Sequence, residues 1–460
     1  MQMLFDKKQD KFKEECGVFG IYKNYTSELG EVFYPGLVSL QHRGEESSGI
    51  SYTNSEGMKT EKAFGMIFNL FSKEDFYKTQ YFSAIGHVRY STSGDISIKN
   101  AQPFQEETIE GSISLAHNGN LLNYLNIKYE LEKKGKIFKS NSDSEIILKF
   151  ILEQIEEGDE IEKAISCAID TLKGAFSVLI LIKDKLIGFR DKKGIRPLCL
   201  GKVEGNYVLS SESTSINVAG GEYIRDVQPG EIVIIDKKGI KSIKNEEAYC
   251  NCICALEYIY FSRPDSIIDG INLSQFRIKC GEKLYEKYKL NSDIVMGVPE
   301  SGNFAALGYS KASNIPYSIG LIKNSYVGRN FIKATEKERK RDINIKINAI
   351  KNIVQGKSII VIDDSIVRGT SSKKVVSALR KAGAREVHFM VASPKINYYC
   401  NLGIDIKSKK ELLSFQKTKE EMRNFIGADS LEFLSLIDME QCLNNSNICT
   451  GCFNGGYADY

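Results

Sequence analysis

The stretch SIIVIDDSIVRGTSS, residues 358–372, admits few folds. It begins as an apolar run without polar alternation, which reads as a strand covered on both faces. The run ends in two adjacent aspartates, and a Ser-Ile-Val-Arg-Gly-Thr-Ser-Ser turn then opens a helix. A buried strand that delivers a helix after a short turn belongs to a parallel sheet with helices on its faces. Ligands of such sheets sit at the carboxyl ends of the strands. The main-chain N–H groups of the turn and the helix N-terminus make an anion site there. Ser365, Thr370, Ser371 and Ser372 can add hydroxyl donors, and Gly369 permits close approach of the backbone. Asp363 and Asp364 would repel a bare phosphate, so they suit ribose hydroxyls or a hydrated Mg²⁺.

The neighbouring pattern agrees. DIVMGVP, YSIGLIK, SIIVIDD and VHFMVAS predict four strands of that sheet, with helices over 303–312 and 371–382. The lysine-rich segment 333–351 reads as a loop plus a helix. The first half differs. Strands are predicted over 17–22, 48–53, 84–90, 112–117, 176–182, 186–190, 207–210 and 231–236, and helices over 121–134, 143–156 and 160–172. Strands there often follow one another directly, as in FSVLILIKDKLIGFRD, which argues for antiparallel pairing and an α+β layered domain. The polar stretch DKKGIKSIKNEEAY, 236–249, marks the boundary between the halves.

A chain of 460 residues suggests two or three domains. Its 62 basic and 59 acidic residues give no general support for binding nucleic acid. The longest clean apolar run, FSVLILI at 176–182, is far shorter than the roughly 20 residues that span a bilayer. The leader MQMLFDKKQDKFKEE lacks the apolar core of a secretory signal. The expectation is a soluble, cytoplasmic protein with no membrane or nucleic-acid partner. In such a reducing compartment the eleven cysteines are buried thiols, metal ligands or catalytic groups more readily than disulfides.

The leader ends abruptly at Cys16, where CGVFGIY starts a core strand. Four fragments follow in order: LQHRGEESSGI (40–50), GHVRYSTSG (86–94), AHNGNLLN (116–123) and SDSE (142–145). Each is weak alone. Together they resemble a class II glutamine amidotransferase domain, whose nucleophile is an N-terminal cysteine. The chemistry explains the position. A thiol that attacks the glutamine side-chain amide needs a base, and the resemblance supplies the free α-amine of the same residue, which titrates near neutral pH. The peptide nitrogen of an internal Cys16 is no base, so residues 1–15 read as a propeptide removed after Glu15. The resemblance further implies that Asn118 and Gly119 form the oxyanion hole. It implies that Arg89 holds the glutamine α-carboxylate and Asp143 the α-amino group, with Arg43 on a glutamine-site loop near the nucleophile.

The 358–372 stretch resembles the phosphoribosylpyrophosphate (PRPP) loop of type I phosphoribosyltransferases. That resemblance implies PRPP contacts from Asp363, Asp364, Ser365, Ile366, Val367, Arg368, Gly369, Thr370 and Ser371. GVPESG, 297–302, resembles the pyrophosphate-side element, with Ser301 joining Asp363 and Asp364 near one Mg²⁺ per subunit. GLIKNSYVGRNFI, 320–332, resembles the mobile lid, from which Lys323 and Arg329 close on pyrophosphate.

The two halves in this order resemble the glutamine PRPP amidotransferase family. The implied fold is an α+β N-terminal-nucleophile domain, 16–247, with antiparallel sheets between helical layers, followed by an α/β phosphoribosyltransferase domain, 248–460, with a mainly parallel sheet. The implied reaction is the committed step of purine synthesis, in which ammonia from glutamine passes through an internal channel to PRPP. Feedback by purine nucleotides and a homo-oligomer, a tetramer in this family, are implied as well. Cys254, Cys400, Cys449 and Cys452 stand where the iron–sulfur branch of the family carries one [4Fe–4S] cluster per subunit. Four thiolates suit such a cluster, and they also suit zinc. Cys250 and Cys252 crowd the first ligand and leave it open, while Cys167, Cys199, Cys280 and Cys442 read as ordinary thiols.

Overall fold

The computed structural model describes residues 16–460 apart from 73–74, 91–96, 109–110, 245–250, 325–346, 405–407, 445–446 and 458–460. The leader 1–15, Cys250, Arg329 and most of the 333–351 segment therefore lie outside the described residues.

The first half is two antiparallel sheets face to face. One has seven strands, in the order Glu222–Asp226, Cys199–Val203, Asn206–Ser210, Gly17–Glu28, Gln80–Arg89, Ser47–Asn54 and Gly57–Phe64. The other has six, in the order Gly239–Ile243, Ile232–Asp236, Lys185–Arg190, Gly174–Ile182, Gly111–Leu121 and Phe104–Thr108. Between them lies an apolar layer that includes Val18, Ile85, Ala116, Leu179, Leu209 and Val233. The alternate residues face outward. Phe19, Ile21 and Ile50 lie in one core with Phe33 and Leu37 of the helix Phe33–Val38 and Ile216 of the helix Ser213–Val218. On the far side, Leu115, Phe176 and Val178 lie with the helices Asp143–Glu156 and Ile161–Thr171. Period-two alternation in strands buried on both faces thus yields four layers, helix–sheet–sheet–helix.

The second half carries a parallel sheet in the order Ile294–Gly297, Ser358–Asp363, Glu386–Val391 and Ser430–Phe433. Ile359 and Val361 face the helices Thr370–Lys381 and Lys419–Ile426. Ile360 and Ile362 face the helices Leu273–Lys287 and Asn303–Ser313.

Two sequence expectations are corrected. YSIGLIK contributes only a single bridge, Tyr317 to Val295, to the parallel sheet. Its end, Leu321–Lys323, forms instead an antiparallel pair with Ile347–Ala349. The fourth parallel strand is Ser430–Phe433, whose short SLEF sequence carries too few apolar residues to announce a strand. The polar boundary stretch is also partly structured, since Gly239–Ile243 is an edge strand on Ile232–Asp236. Lysines on one exposed edge are compatible with pairing on the other.

Candidate active site

Cys16 immediately precedes the central strand of the seven-stranded sheet, where Gly17 pairs with Val88. Its Sγ donates to the carbonyl of Tyr90 at 3.4 Å. Burial pushes the thiol up to about 11; the Arg89 guanidinium opposes that rise, while Asp143 and Glu46 add to it. At neutral pH the thiol is protonated, so it needs a base to attack. Arg89 and Asp143, the groups expected for the two ends of glutamine, are among the charges that bear on this thiol.

Each has its own anchor. Arg89 ends the strand Gln80–Arg89, and its Nη1 donates to Glu46 at 2.8 Å. Asp143 opens the helix Asp143–Glu156, a position that favours an anion. One of its oxygens accepts the Leu121 N–H at 3.0 Å, which ties the helix to the end of the strand Gly111–Leu121. Within that strand, Gly111–Leu121, the Nδ2 of Asn118 is buried and has no hydrogen-bond partner. A buried unpaired donor costs roughly 1–3 kcal/mol, so it is retained where a ligand group satisfies it. Gly119 has φ +150°, and a Cβ there would come within 1.9 Å of the Ala175 carbonyl. Only glycine allows that backbone, and with it this placement of the Gly119 N–H.

Arg43 is placed differently from a residue that grips free substrate. Its side chain is buried: Nε donates to the Cys16 carbonyl at 3.0 Å, and the guanidinium pairs with Glu212 of the first half and Glu257 of the second. It braces the nucleophile's backbone and joins the halves. Gly44 packs so closely on the Arg89 backbone that a Cβ would meet it at 2.5 Å.

His117, Glu46 and Tyr90 contact this centre and were not singled out from sequence. His117 stays neutral, its pKa lowered by burial; Nδ1 meets Ser144 at 3.0 Å and Nε2 lacks a partner. It lies inside the AHNGN fragment, where a histidine between Ala116 and Asn118 gives no signal of its own. Glu46 lies inside LQHRGEESSGI, where one of two adjacent glutamates carries no mark of its bond to Arg89.

In the second half, Asp363, Asp364 and Ser365 are buried at the carboxyl end of the central parallel strand. Ser301 Oγ donates to Asp364 at 2.5 Å and Ser365 Oγ to its other oxygen at 2.6 Å. The expected metal-side residues thus converge. Gly369, with φ +75°, is the N-cap of Thr370–Lys381. Ile366 and Val367 are buried in the cores on the two faces of the sheet, so only their main chain can serve a ligand. The Arg368 guanidinium is tied to Glu411. Lys323 lies 3.9 Å from Glu300, and both help line a cavity of about 200 Å³ with Gly297 and Asn303. Arg329 lies outside the described residues.

The four cysteines also gather. Cys254 and Cys449 are register partners in a parallel pair. Asn397 and Tyr398 donate their N–H groups to the Cys452 carbonyl at 2.9 and 3.0 Å. The Leu402 N–H donates to Cys400 Sγ at 3.2 Å. Burial pushes Cys400 up to about 11, while the pKa of Cys452 is raised by burial and by Cys400 and Cys449. Four soft sulfur donors in one region suit a group held by thiolates. Among the described residues no three His, Cys, Asp or Glu side chains converge on a single-ion site.

Comparison with known proteins bears on both halves. Residues 87–218 match the glutamine amidotransferase domain family and residues 274–408 the phosphoribosyl transferase domain family. An amidophosphoribosyltransferase of Archaeoglobus fulgidus is 41% identical over 447 residues, covering 96% of this chain and 97% of the relative. That of Bacillus subtilis is 42% identical over 454 residues, covering 96% and 94%. The solved B. subtilis glutamine PRPP amidotransferase, complexed with ADP and GMP, superposes with a TM-score of 0.89 at 41% identity, over 96% of this chain and 97% of that one. The chain belongs to the amidophosphoribosyltransferase family, enzymes that use glutamine to aminate PRPP in purine biosynthesis.

Proposed function

We propose that glutamine is hydrolysed at Cys16 and that its ammonia travels inside the protein to PRPP at the 363–371 loop. The observation that supports the first step is geometric: Cys16 Sγ lies against the carbonyl of Tyr90, next to Arg89, while Asp143 is tied through the Leu121 N–H to the strand that carries Asn118 and Gly119. Arg89 and Asp143 hold the two ends of the amino-acid zwitterion. Loss of residues 1–15 frees the Cys16 α-amine, which takes the thiol proton as sulfur attacks the amide carbon. Asn118 Nδ2 and the Gly119 N–H stabilise the oxyanion. Collapse of the tetrahedral adduct expels ammonia, and water then releases glutamate from the thioester.

At the second site, the turn from Ser365 to Ser371 holds the 5-phosphate with N–H and hydroxyl donors, and Asp363 and Asp364 hold the ribose hydroxyls. Ser301, Asp363 and Asp364 are hard oxygen donors that fit one Mg²⁺, which supplies charge neutralisation to the departing pyrophosphate. Lys323 and Arg329 close over it. Ammonia attacks C1 of the ribose as pyrophosphate leaves, giving phosphoribosylamine. Cys254, Cys400, Cys449 and Cys452 fit one [4Fe–4S] cluster, which supplies a cross-link between the start and the tail of the second domain. Domain limits of 16–247 and 248–460, a cytoplasmic homo-oligomer, a tetramer as in the resemblance above, and purine-nucleotide feedback complete the reading; the B. subtilis structure with ADP and GMP supports the last.

N-terminal sequencing, with iron and sulfide analysis of anaerobically purified enzyme, tests it. The expected results are a chain starting at Cys16 and about four iron atoms per subunit. Full activity with residues 1–15 attached, or zinc without iron, contradicts it.

A further inference from the structure

One loop of the second half reaches back to the oxyanion strand. Asn120, next to Gly119, donates from Nδ2 to the Asn401 carbonyl at 3.0 Å. Arg196, buried on the segment after the strand Lys185–Arg190, donates from Nη2 to the Leu402 carbonyl. Gly403 follows with φ +108°, and a Cβ there would lie 2.6 Å from Arg196 Nη2 and 3.2 Å from Asn120 Cβ. So the 400–404 loop lies against both side chains, with Leu402 and Ile404 buried beneath it.

A second set of bonds reaches the same strand from behind. Cys252 and Cys254 donate their N–H groups to the carbonyls of Lys193 and Ile195 at 2.8 and 3.1 Å. The buried Asp191 carboxylate accepts N–H groups from Lys193 and Ile195 and, at 3.0 Å, from Phe176. Phe176 is the register partner of Gly119. The segment 191–196 is therefore held by the second half on one side and holds the strand behind the oxyanion glycine on the other.

We propose that Asn120 and Arg196 are positioning residues for glutamine hydrolysis, clamping the 400–404 loop of the second half onto the oxyanion strand and so fixing where the Asn118 amide and Gly119 N–H point. The inference rests on Asn118 and Gly119 being the oxyanion hole. Neither positioning residue need touch glutamine. The clamp acts on the tetrahedral adduct, whose oxyanion needs donors within a few tenths of an ångström. It does not act on ground-state binding, which Arg89 and Asp143 govern.

Asn120→Ala, Asn120→Asp, Arg196→Lys, Arg196→Met and Asn118→Ala decide the matter in the full-length enzyme. For Asn120→Ala the glutaminase kcat should fall about tenfold, the cost of a small misplacement, with KM for glutamine unchanged. Ammonia-dependent synthesis should stay at wild-type level. Affinity for a glutamate-semialdehyde analogue, which forms a tetrahedral thiohemiacetal, should fall with kcat, while affinity for glutamate should not move. Asn120→Asp, which loses the donor, should match or exceed the alanine effect. Arg196→Lys should retain more activity than Arg196→Met, because a donor to Leu402 survives. If the Met variant does not fold, the partly exposed Asn120 variants still decide. Wild-type kcat and aldehyde affinity in Asn120→Ala, with Asn118→Ala collapsed, overturn the clamp alone. Wild-type activity in Asn118→Ala overturns the hole and the clamp together. Parallel loss of glutamine and ammonia activities in Asn120→Ala overturns the clamp by showing general damage.

Discussion

The two halves build their sites in opposite ways. The proposed glutamine site draws Cys16, Arg89, Asn118 and Asp143, with Arg43 as a brace, from separate elements over more than a hundred residues of chain. Three glycines take part in its close approaches: Gly119 under Ala175, Gly44 against Arg89, and Gly403 from the other half against Arg196. The proposed PRPP site is nearly one segment, a strand, a turn and a helix over 358–381, joined by Ser301 from the turn after the adjacent strand Ile294–Gly297. The first site is a product of packing, so distant changes can disarm it. The second is a product of local geometry, so it depends on residues one can point to in a line.

The largest expected effect breaks the second site. Asp364→Asn keeps the shape and an acceptor for one of Ser301 and Ser365, but removes the charge at the strand end. Both glutamine- and ammonia-dependent synthesis should fall by about a thousandfold or more, with an unchanged thermal unfolding curve. Residual PRPP turnover near wild type would remove the local-site reading.

Asn118→Ala is the corresponding cut in the first site. Glutaminase kcat should drop by about 10²–10³, the usual cost of one oxyanion donor, while ammonia-dependent synthesis persists. Steady-state kinetics with each nitrogen source separate the two.

Cys452→Ser tests the tie between the start and tail of the second domain. On the proposed cluster, it should give colourless protein with about 2–4 kcal/mol less stability than the wild type, by analogy with loss of a cross-link closing a long loop. Visible absorbance and urea unfolding read this directly.

The smallest effect concerns the seam between halves. Asp226 of the first half accepts from Tyr223 at 2.8 Å and from the Asp269 N–H of the second half at 2.7 Å. Burial and the Asp269 carboxylate raise it from 3.8 to about 6. The folded state thus holds a proton that the unfolded chain has released between these values. Stability should therefore decline as pH rises from about 4 to about 6 on this group's account, and stay lower above. Asp226→Asn should remove that slope and raise stability at pH 8 by about 1–3 kcal/mol. An unaltered pH profile would show that the carboxylate is not strained.

Legibility in the sequence follows the same contrast. The PRPP loop is contiguous, so the strand, the acidic pair and the N-cap glycine could be seen together in SIIVIDDSIVRGTSS. The glutamine-site residues could be found only through five fragments and their order. What escaped was what depends on partners far along the chain. Arg43 carries no mark of its pairing with Glu257, 214 residues away. Asn120 carries none of its bond to the carbonyl of Asn401. The edge strand Gly239–Ile243 read as a linker, because one exposed face and a free edge tolerate lysines.

The claim that the halves divide the chemistry is tested most directly by Cys16→Ser, assayed on one preparation with Mg²⁺ present. A hydroxyl is a far weaker nucleophile than a thiol at neutral pH, so glutamine-dependent phosphoribosylamine synthesis should fall to background. Ammonia-dependent synthesis should remain close to wild type, rising with pH at fixed total ammonium as more NH₃ becomes available. A folded variant in which both activities fall together would contradict the account.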